Sequence, residues 1–162
     1  MAELHRPVAV ASIGPDPLEI RVEANAAECE ALAARMQVPA LISFACRFCL
    51  CRTAGRAVIA EGRLDARVVR TCVVTLDEFE TMVAEDFALR FVPEGTESDD
   101  DPESVDEVPY ADGVLDLGEA AVEQLALALD PYPRKPGAEL PEIEPDEAGH
   151  PFAELARFRR HH

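Results

Sequence analysis

Apolar positions recur along this chain with two distinct periods. In AECEALAARM, Cys29, Leu32, Ala33 and Met36 fall at helical spacing, and Asn25 with Glu28 three residues on is a capping pair, so a helix is predicted over 26–36. From Leu41 to Val74 the residues become β-branched and aromatic, interrupted by the hairpin-like Thr53-Ala54-Gly55-Arg56. Strands are predicted on both sides of that turn. Ile42, Phe44, Cys46, Phe48 and Leu50 share one face of the first, and Val58, Ala60, Leu64, Ala66, Val68, Cys72 and Val74 share one face of the return segment. The set Arg63, Asp65, Arg67 lies on the other side, so one face is core and the other solvent. Gly62 marks a bend or bulge in the long strand. Beyond a turn near Asp77-Glu78, the run from Thr81 to Val92 closes with Phe87, Leu89 and Phe91 in alternation, a further strand. The last strong element is DLGEAAVEQLALAL, a helix with Asp116 and Glu119 as its capping pair and Leu117, Ala121, Leu125, Ala128 and Leu129 on one face. Consecutive strands joined by short turns pair antiparallel. The predicted class is α+β, a strongly bent, barrel-like antiparallel sheet with one helix before it and one after.

Charge changes this picture beyond residue 91. The 162 residues carry 15 basic and 32 acidic side chains, a net charge of −17. Residues 1–91 hold ten arginines against thirteen acids, whereas 92–162 hold five basic residues against nineteen acids, balances of −3 and −14. Glu94 to Glu107 contains eight carboxylates, and a segment so charged buries too little apolar surface to offset its chain entropy. A mobile acidic loop is therefore expected over 94–108. From Asp130 onward prolines recur at 131, 133, 136, 141, 145 and 151, which predicts an extended tail over 131–162 following a single domain of 1–130. The tail ends in Pro151-Phe-Ala-Glu-Leu-Ala-Arg-Phe-Arg-Arg160, a short amphipathic segment too brief to be stable alone. The size suits one hydrophobic core. The acidity opposes nucleic acid and anionic membranes as general partners. No apolar run reaches the length of a membrane span and the first residues lack a signal-peptide core, so the expected location is the cytoplasm.

Candidate chemistry is sparse. Cys46, Cys49, Cys51 and Cys72 offer enough thiolates for a tetrahedral zinc site, but strand alternation sends Cys46 and Cys49 to opposite faces, and no metal is expected. His5, His150, His161 and His162 all lie near the ends, and no nucleotide or metalloprotease signature occurs. No enzyme, cofactor or small-molecule substrate is expected. The region Arg35–Arg70 carries seven arginines against Glu61 and Asp65, which makes a zinc-binding or RNA-binding adaptor the competing reading, with Arg63 and Arg67 as RNA contacts. The other constellation is Asp130-Pro-Tyr-Pro-Arg-Lys-Pro-Gly137, an aromatic and two adjacent cations, Arg134 and Lys135, set in an acidic half.

Cys72-Val-Val-Thr-Leu76 closing a long strand, Asp116-Leu-Gly-Glu119 opening a helix, and Leu129-Asp-Pro-Tyr-Pro-Arg-Lys-Pro-Gly-Ala138 resemble the YceD family, large ribosomal RNA subunit accumulation proteins, in their alphaproteobacterial form. Pro151-Phe-Ala-Glu-Leu155 and the helix AECEALAARM fit that form too. Many relatives outside this group carry a CxxC at the strand end, where this chain continues from Cys72 with Val73, Val74 and Thr75. The resemblance implies a non-enzymatic ribosome biogenesis factor whose partner is a ribosomal protein or pre-ribosomal RNA of the large subunit. By analogy, Asp116, Leu117, Gly118, Glu119, Asp130, Tyr132, Pro133, Arg134 and Lys135 are the candidate partner-binding residues.

Overall fold

The computed structural model describes residues 3–97 and 101–140. In chain order they form β1 (Pro7–Ala9), a 3₁₀ turn at Val10–Ser12, β2 (Leu18–Glu23), α1 (Ala26–Met36), β3 (Ala40–Arg52), β4 (Val58–Thr71), β5 (Glu78–Pro93), β6 (Asp106–Tyr110), β7 (Val114–Asp116) and α2 (Leu117–Ala128). The predicted α+β class holds. Five strands make one sheet in the order β2-β3-β4-β5-β6, while β1 and β7 pair separately as a small antiparallel sheet. The large sheet ends at β2 and β6, so it is open, and the barrel-like closure expected from the sequence does not occur. Its pairing is antiparallel except at β5–β6, which is parallel.

α1 begins and ends where its spacing predicts. The Asn25 side chain accepts from the Glu28 N–H, and the Glu28 carboxylate accepts from the Asn25 N–H, each at 2.8 Å. The same carboxylate takes a two-pronged bond from Arg6 at 2.9 Å, which together with the Asn25 N–H holds the Glu28 carboxyl below its ordinary range. Cys29, Leu32 and Ala33 of α1 and Leu117, Ala121, Val122 and Leu125 of α2 are buried with Phe44, Phe48, Leu64, Leu89 and Phe91 of the sheet in one core. Each fully buried Leu or Phe contributes roughly 1.5–3 kcal/mol relative to an exposed one.

Two details of the strands differ from simple alternation. The β3–β4 register shifts between Leu41 and Ser43, so Leu41 enters the core and Ile42, expected beside Phe44, is 44% exposed. Ile42→Thr is therefore expected to change unfolding free energy by no more than about 0.5 kcal/mol, as read by denaturant titration. A loss near the core-residue range would mean that Ile42 packs inward after all. The register through Gly62 is unbroken, in contrast, and the residue marks neither slip nor bulge. Its missing side chain makes room for the Phe87 ring, whose nearest atom would stand 2.2 Å from a Cβ there, and which meets Phe48 edge-on at 5.7 Å.

The acidic region is shorter than the 94–108 loop read from composition, because Asp106–Tyr110 pairs with the end of β5. Arg90 takes Glu107 at 3.0 Å, and the Tyr110 hydroxyl donates to the Arg56 carbonyl at 2.6 Å, so one of the strand's two carboxylates and its aromatic find partners. Residues 98–100 of that loop, and 141–162 with the amphipathic ending, lie outside the described residues.

Candidate protein-binding site

The candidate partner-binding residues divide into two structural groups. Asp116, Leu117, Gly118 and Glu119 sit where β7 runs into α2, against the N-terminal segment. Asp116 caps α2, its Oδ1 accepting from Gly118 N and Glu119 N at 3.1 and 3.3 Å and from Arg6 N at 3.0 Å; its Oδ2 lies 2.5 Å from His5 Nδ1. Burial raises the Asp116 carboxyl pKa, but the Arg6 N–H, His5 and the Glu119 N–H outweigh it and leave the group below its ordinary value. Leu117 and Gly118 are buried. Glu119 receives both terminal nitrogens of Arg35 at 2.6 and 3.0 Å, and Arg35 also reaches Glu3 at 2.8 Å. These four residues thus tie the chain's beginning to α2.

The second group forms an exposed strap. After α2, residues 130–138 cross the turn between β4 and β5. That turn is closed by Cys72 N donating to Asp77 O at 2.8 Å and Leu76 N donating to Cys72 O at 2.9 Å. The Val73 N–H donates to Pro133 O at 3.0 Å, the Arg70 guanidinium to Asp130 O at 2.6 Å, and Lys135 Nζ stands 3.7 Å from an Asp77 carboxylate oxygen. Asp130 Oδ1 accepts from Tyr132 N at 2.8 Å, which turns the chain into the strap. The fully buried Cys72 thiol joins the two pieces, its sulfur accepting from Thr75 N at 3.4 Å and Lys135 N at 3.3 Å.

Those donors favour the thiolate. The Thr75 side chain foremost, then the Lys135, Thr75 and Val74 N–H groups, hold the Cys72 pKa down at about 7 against the opposing effect of burial. A folded-state pKa below the thiol's ordinary value of about 8.5 gives stability that is present above the latter and lost as pH falls through the former. Unfolding free energy is therefore expected to rise between pH 7 and about 8.5 by an increment that Cys72→Ala removes, measured by chemical denaturation in parallel buffers. Equal slopes for the two proteins would show that the strap places no charge on this sulfur.

What the strap presents is apolar and aromatic. Tyr132 is 72% exposed and Leu76 is 76% exposed, with Val73 half-exposed on the same turn. Leu76 holds φ at +61°, a left-handed conformation that costs a side chain with a Cβ about 1 kcal/mol or more. Sequence reasoning found the strap through its composition but not Leu76, since no residue pattern signals a left-handed leucine.

The arginine-bearing strands look different from their composition. Arg63 reaches Asp86 at 3.0 and 3.1 Å, and Arg67 reaches Glu80 at 2.8 and 2.5 Å. Arg21 is paired with Glu23. Both proposed RNA contacts thus carry a carboxylate from β5. Arg47, Arg52 and Arg56 have no carboxylate partner among the described residues. Cys46 faces the core, where burial pushes its thiol up to about 12, while Cys49 and Cys51 lie half-exposed among the alternate positions of β3. Among the described residues no three His, Cys, Asp or Glu side chains converge as metal ligands. No helix among them is long and apolar enough to cross a membrane.

An open α+β sheet with a strapped, exposed aromatic turn defines the class of this protein. The chain belongs to the YceD family, described as large ribosomal RNA subunit accumulation protein, whose pattern matches residues 60–158. That match takes in all but the first two residues of β4, the strap and α2, and membership places the chain in ribosome biogenesis through accumulation of large-subunit RNA. No curated protein and no solved structure matches it.

Proposed function

We propose that this protein supports large-subunit RNA accumulation as a cytoplasmic, non-enzymatic factor that binds a basic ribosomal protein. The acidic half supplies attraction, and Tyr132, Arg134 and Lys135 on the strap supply specificity. The observation that carries this reading is the neutralisation of Arg63 and Arg67 by Asp86 and Glu80, which takes from β4 the two cations read as RNA contacts, in a chain of charge −17. A cationic protein is drawn to such a surface, and its association is fast and salt-sensitive. Arg47, Arg52 and Arg56, which lack carboxylate partners among the described residues, favour the second reading, RNA binding along β3 and its hairpin.

Purified full-length protein mixed separately with large-subunit ribosomal proteins and with large-subunit RNA discriminates the two. The expected result is capture of a basic ribosomal protein, weakened by salt and unaffected by Arg47→Ala and Arg56→Ala. RNA capture with a salt slope that falls in those two variants would replace the first reading by the second.

A further inference from the structure

The large sheet has an edge that no described strand covers. β5 runs from Glu78 to Pro93, but β6 pairs only with Leu89–Pro93, so Glu78–Ala88 is bonded to β4 on one side and, among the described residues, to no strand on the other. Among the described residues, no turn or loop backbone group bonds to this edge either. Unpaired N–H and C=O groups therefore run along roughly 35 Å of strand, at about 3.3 Å per residue. Natural sheets blunt such edges with bulges, prolines or lysines, because a bare edge is a template for another strand. Here Glu78–Ala88 contains no Pro or Lys, its register with β4 is unbroken, and Met82 is 79% exposed.

Beside the edge lies a groove of about 290 Å³, walled by Thr81, Val83 and Glu85 on the strand and by Leu129, Pro133 and Arg134 at the start of the strap. The edge is thus continuous with the exposed turn. Glu78, Glu80, Glu85 and Asp86 give it four carboxylates and no cation of its own. Two of these are occupied, Glu80 by Arg67 and Asp86 by Arg63, whereas Glu78 and Glu85 make no ion pair among the described residues.

We propose that Glu78–Ala88 of β5 is a strand-addition site that receives an extended, basic segment of the partner protein. Main-chain hydrogen bonds supply attraction without regard to sequence, and the added strand's side chains supply selectivity, meeting Glu78 on one face of the sheet and Glu85 with the groove on the other. A second copy of the chain suits the edge poorly. Antiparallel pairing of two such edges about their centre brings Glu80 opposite Glu85 or Asp86, and like charges directly opposite are destabilising. The inference deepens the reading of a basic protein partner by naming the surface and the conformation it binds in.

The test uses the full chain and two capped nine-residue peptides, one alternating Lys with Val and one alternating Glu with Val. Residue-resolved amide exchange is followed with each, and sedimentation reports the oligomeric state. The Lys-Val peptide is expected to slow exchange at least tenfold at alternate amides within 78–88, those facing β4 being protected already, and the Glu-Val peptide is expected to have no effect there. Glu78→Lys with Glu85→Lys, both at exposed positions, should weaken the Lys-Val peptide at least tenfold and leave the thermal midpoint within a few degrees. Protection located elsewhere, or equal binding of both peptides, overturns the proposal. So does slow exchange at every amide of 78–88 in the free chain, whether sedimentation assigns it to a dimer or, in a monomer, to residues 141–162. Protection of the same amides by an RNA oligonucleotide overturns it as well. Peptide pairing at β5 in a protein that captures no basic ribosomal protein would sink the functional reading alone, while capture without protection of β5 would sink only this inference.

Discussion

Replacing Gly118 by alanine is expected to lower unfolding free energy by about 3 kcal/mol, near the top of the range for overpacking, and the thermal midpoint by roughly 10 °C. The sign is opposite to the helix propensity of the two residues, which favours alanine by about 1 kcal/mol. Gly118 lies in the first turn of α2, buried, and a Cβ there would stand 2.2 Å from the Leu4 carbonyl oxygen and 3.0 Å from Arg6 N. Those atoms are backbone and have little freedom to withdraw. Arg6 N is held by Asp116 Oδ1, Arg6 O accepts from Leu117 N at 3.1 Å, and Leu4 is fully buried. The alanine methyl must push the N-terminal segment outward, exposing Leu4 and straining the Asp116 cap in one movement. Gly14→Ala is the control, since nothing lies within 4 Å of a Cβ at Gly14, and it should shift stability by no more than about 0.5 kcal/mol. Denaturant titration of the two variants decides it. A neutral Gly118→Ala would mean that the N-terminal segment is not seated against α2 as the hydrogen bonds indicate.

How much of this was legible in the sequence depended on whether the signal was local. α1 announced itself through Asn25, Glu28 and four apolar positions, and it spans the predicted residues. β3 and β4 followed from alternation alone, except where the slip at Leu41 exchanged Ile42 for its neighbour, a shift that residue type does not encode. β1 and β7, of three residues each, are too short to show a period, and they form because Asp116 and the α2 N-terminus gather the first residues of the chain. β2 does carry a period of two in Leu18, Ile20 and Val22, obscured by the Gly14-Pro15-Asp16-Pro17 run before it. β6 was hidden by its charge and by Pro109, both compatible with an edge strand whose Glu107 is met by Arg90.

The site was legible in composition and illegible in arrangement. Asp116-Leu-Gly-Glu119 and Asp130 to Gly137 were singled out together, yet the first joins the chain's own segments while the second lies exposed across the β4–β5 turn. The link between Cys72 and Lys135 spans 63 residues, a separation over which sequence pattern carries no information. The arginines show the converse. Cross-strand register puts Asp86 opposite Arg63, while Glu80, opposite Val69, reaches Arg67 diagonally, so a stretch that is basic in sequence is close to neutral in space.

Tyr132→Ala is expected to weaken the partner complex about thirtyfold, a loss of about 2 kcal/mol, with most of the change in the dissociation rate. Tyrosine offers a large amphipathic contact at low entropic cost, and 132 is fixed beforehand by the Asp130 side chain and by the Pro133 bond to Val73. Leu76 provides a sharper discrimination, because its backbone and its side chain predict opposite outcomes. Asparagine adopts the left-handed conformation more readily than leucine, so Leu76→Asn should hold or raise stability, by up to about 1 kcal/mol. The same change removes an exposed apolar contact, so it should weaken binding at least tenfold. A residue retained in a strained conformation for folding alone would show a loss of stability with binding intact, and that pairing of results would remove the β4–β5 turn from the interface. Arg134→Gln completes the set. With no carboxylate partner among the described residues, its guanidinium opposes the approach of a basic protein but contacts it once bound, so its removal should quicken association slightly and speed dissociation. Slower association in Arg134→Gln would point instead to an anionic partner and, with it, to RNA.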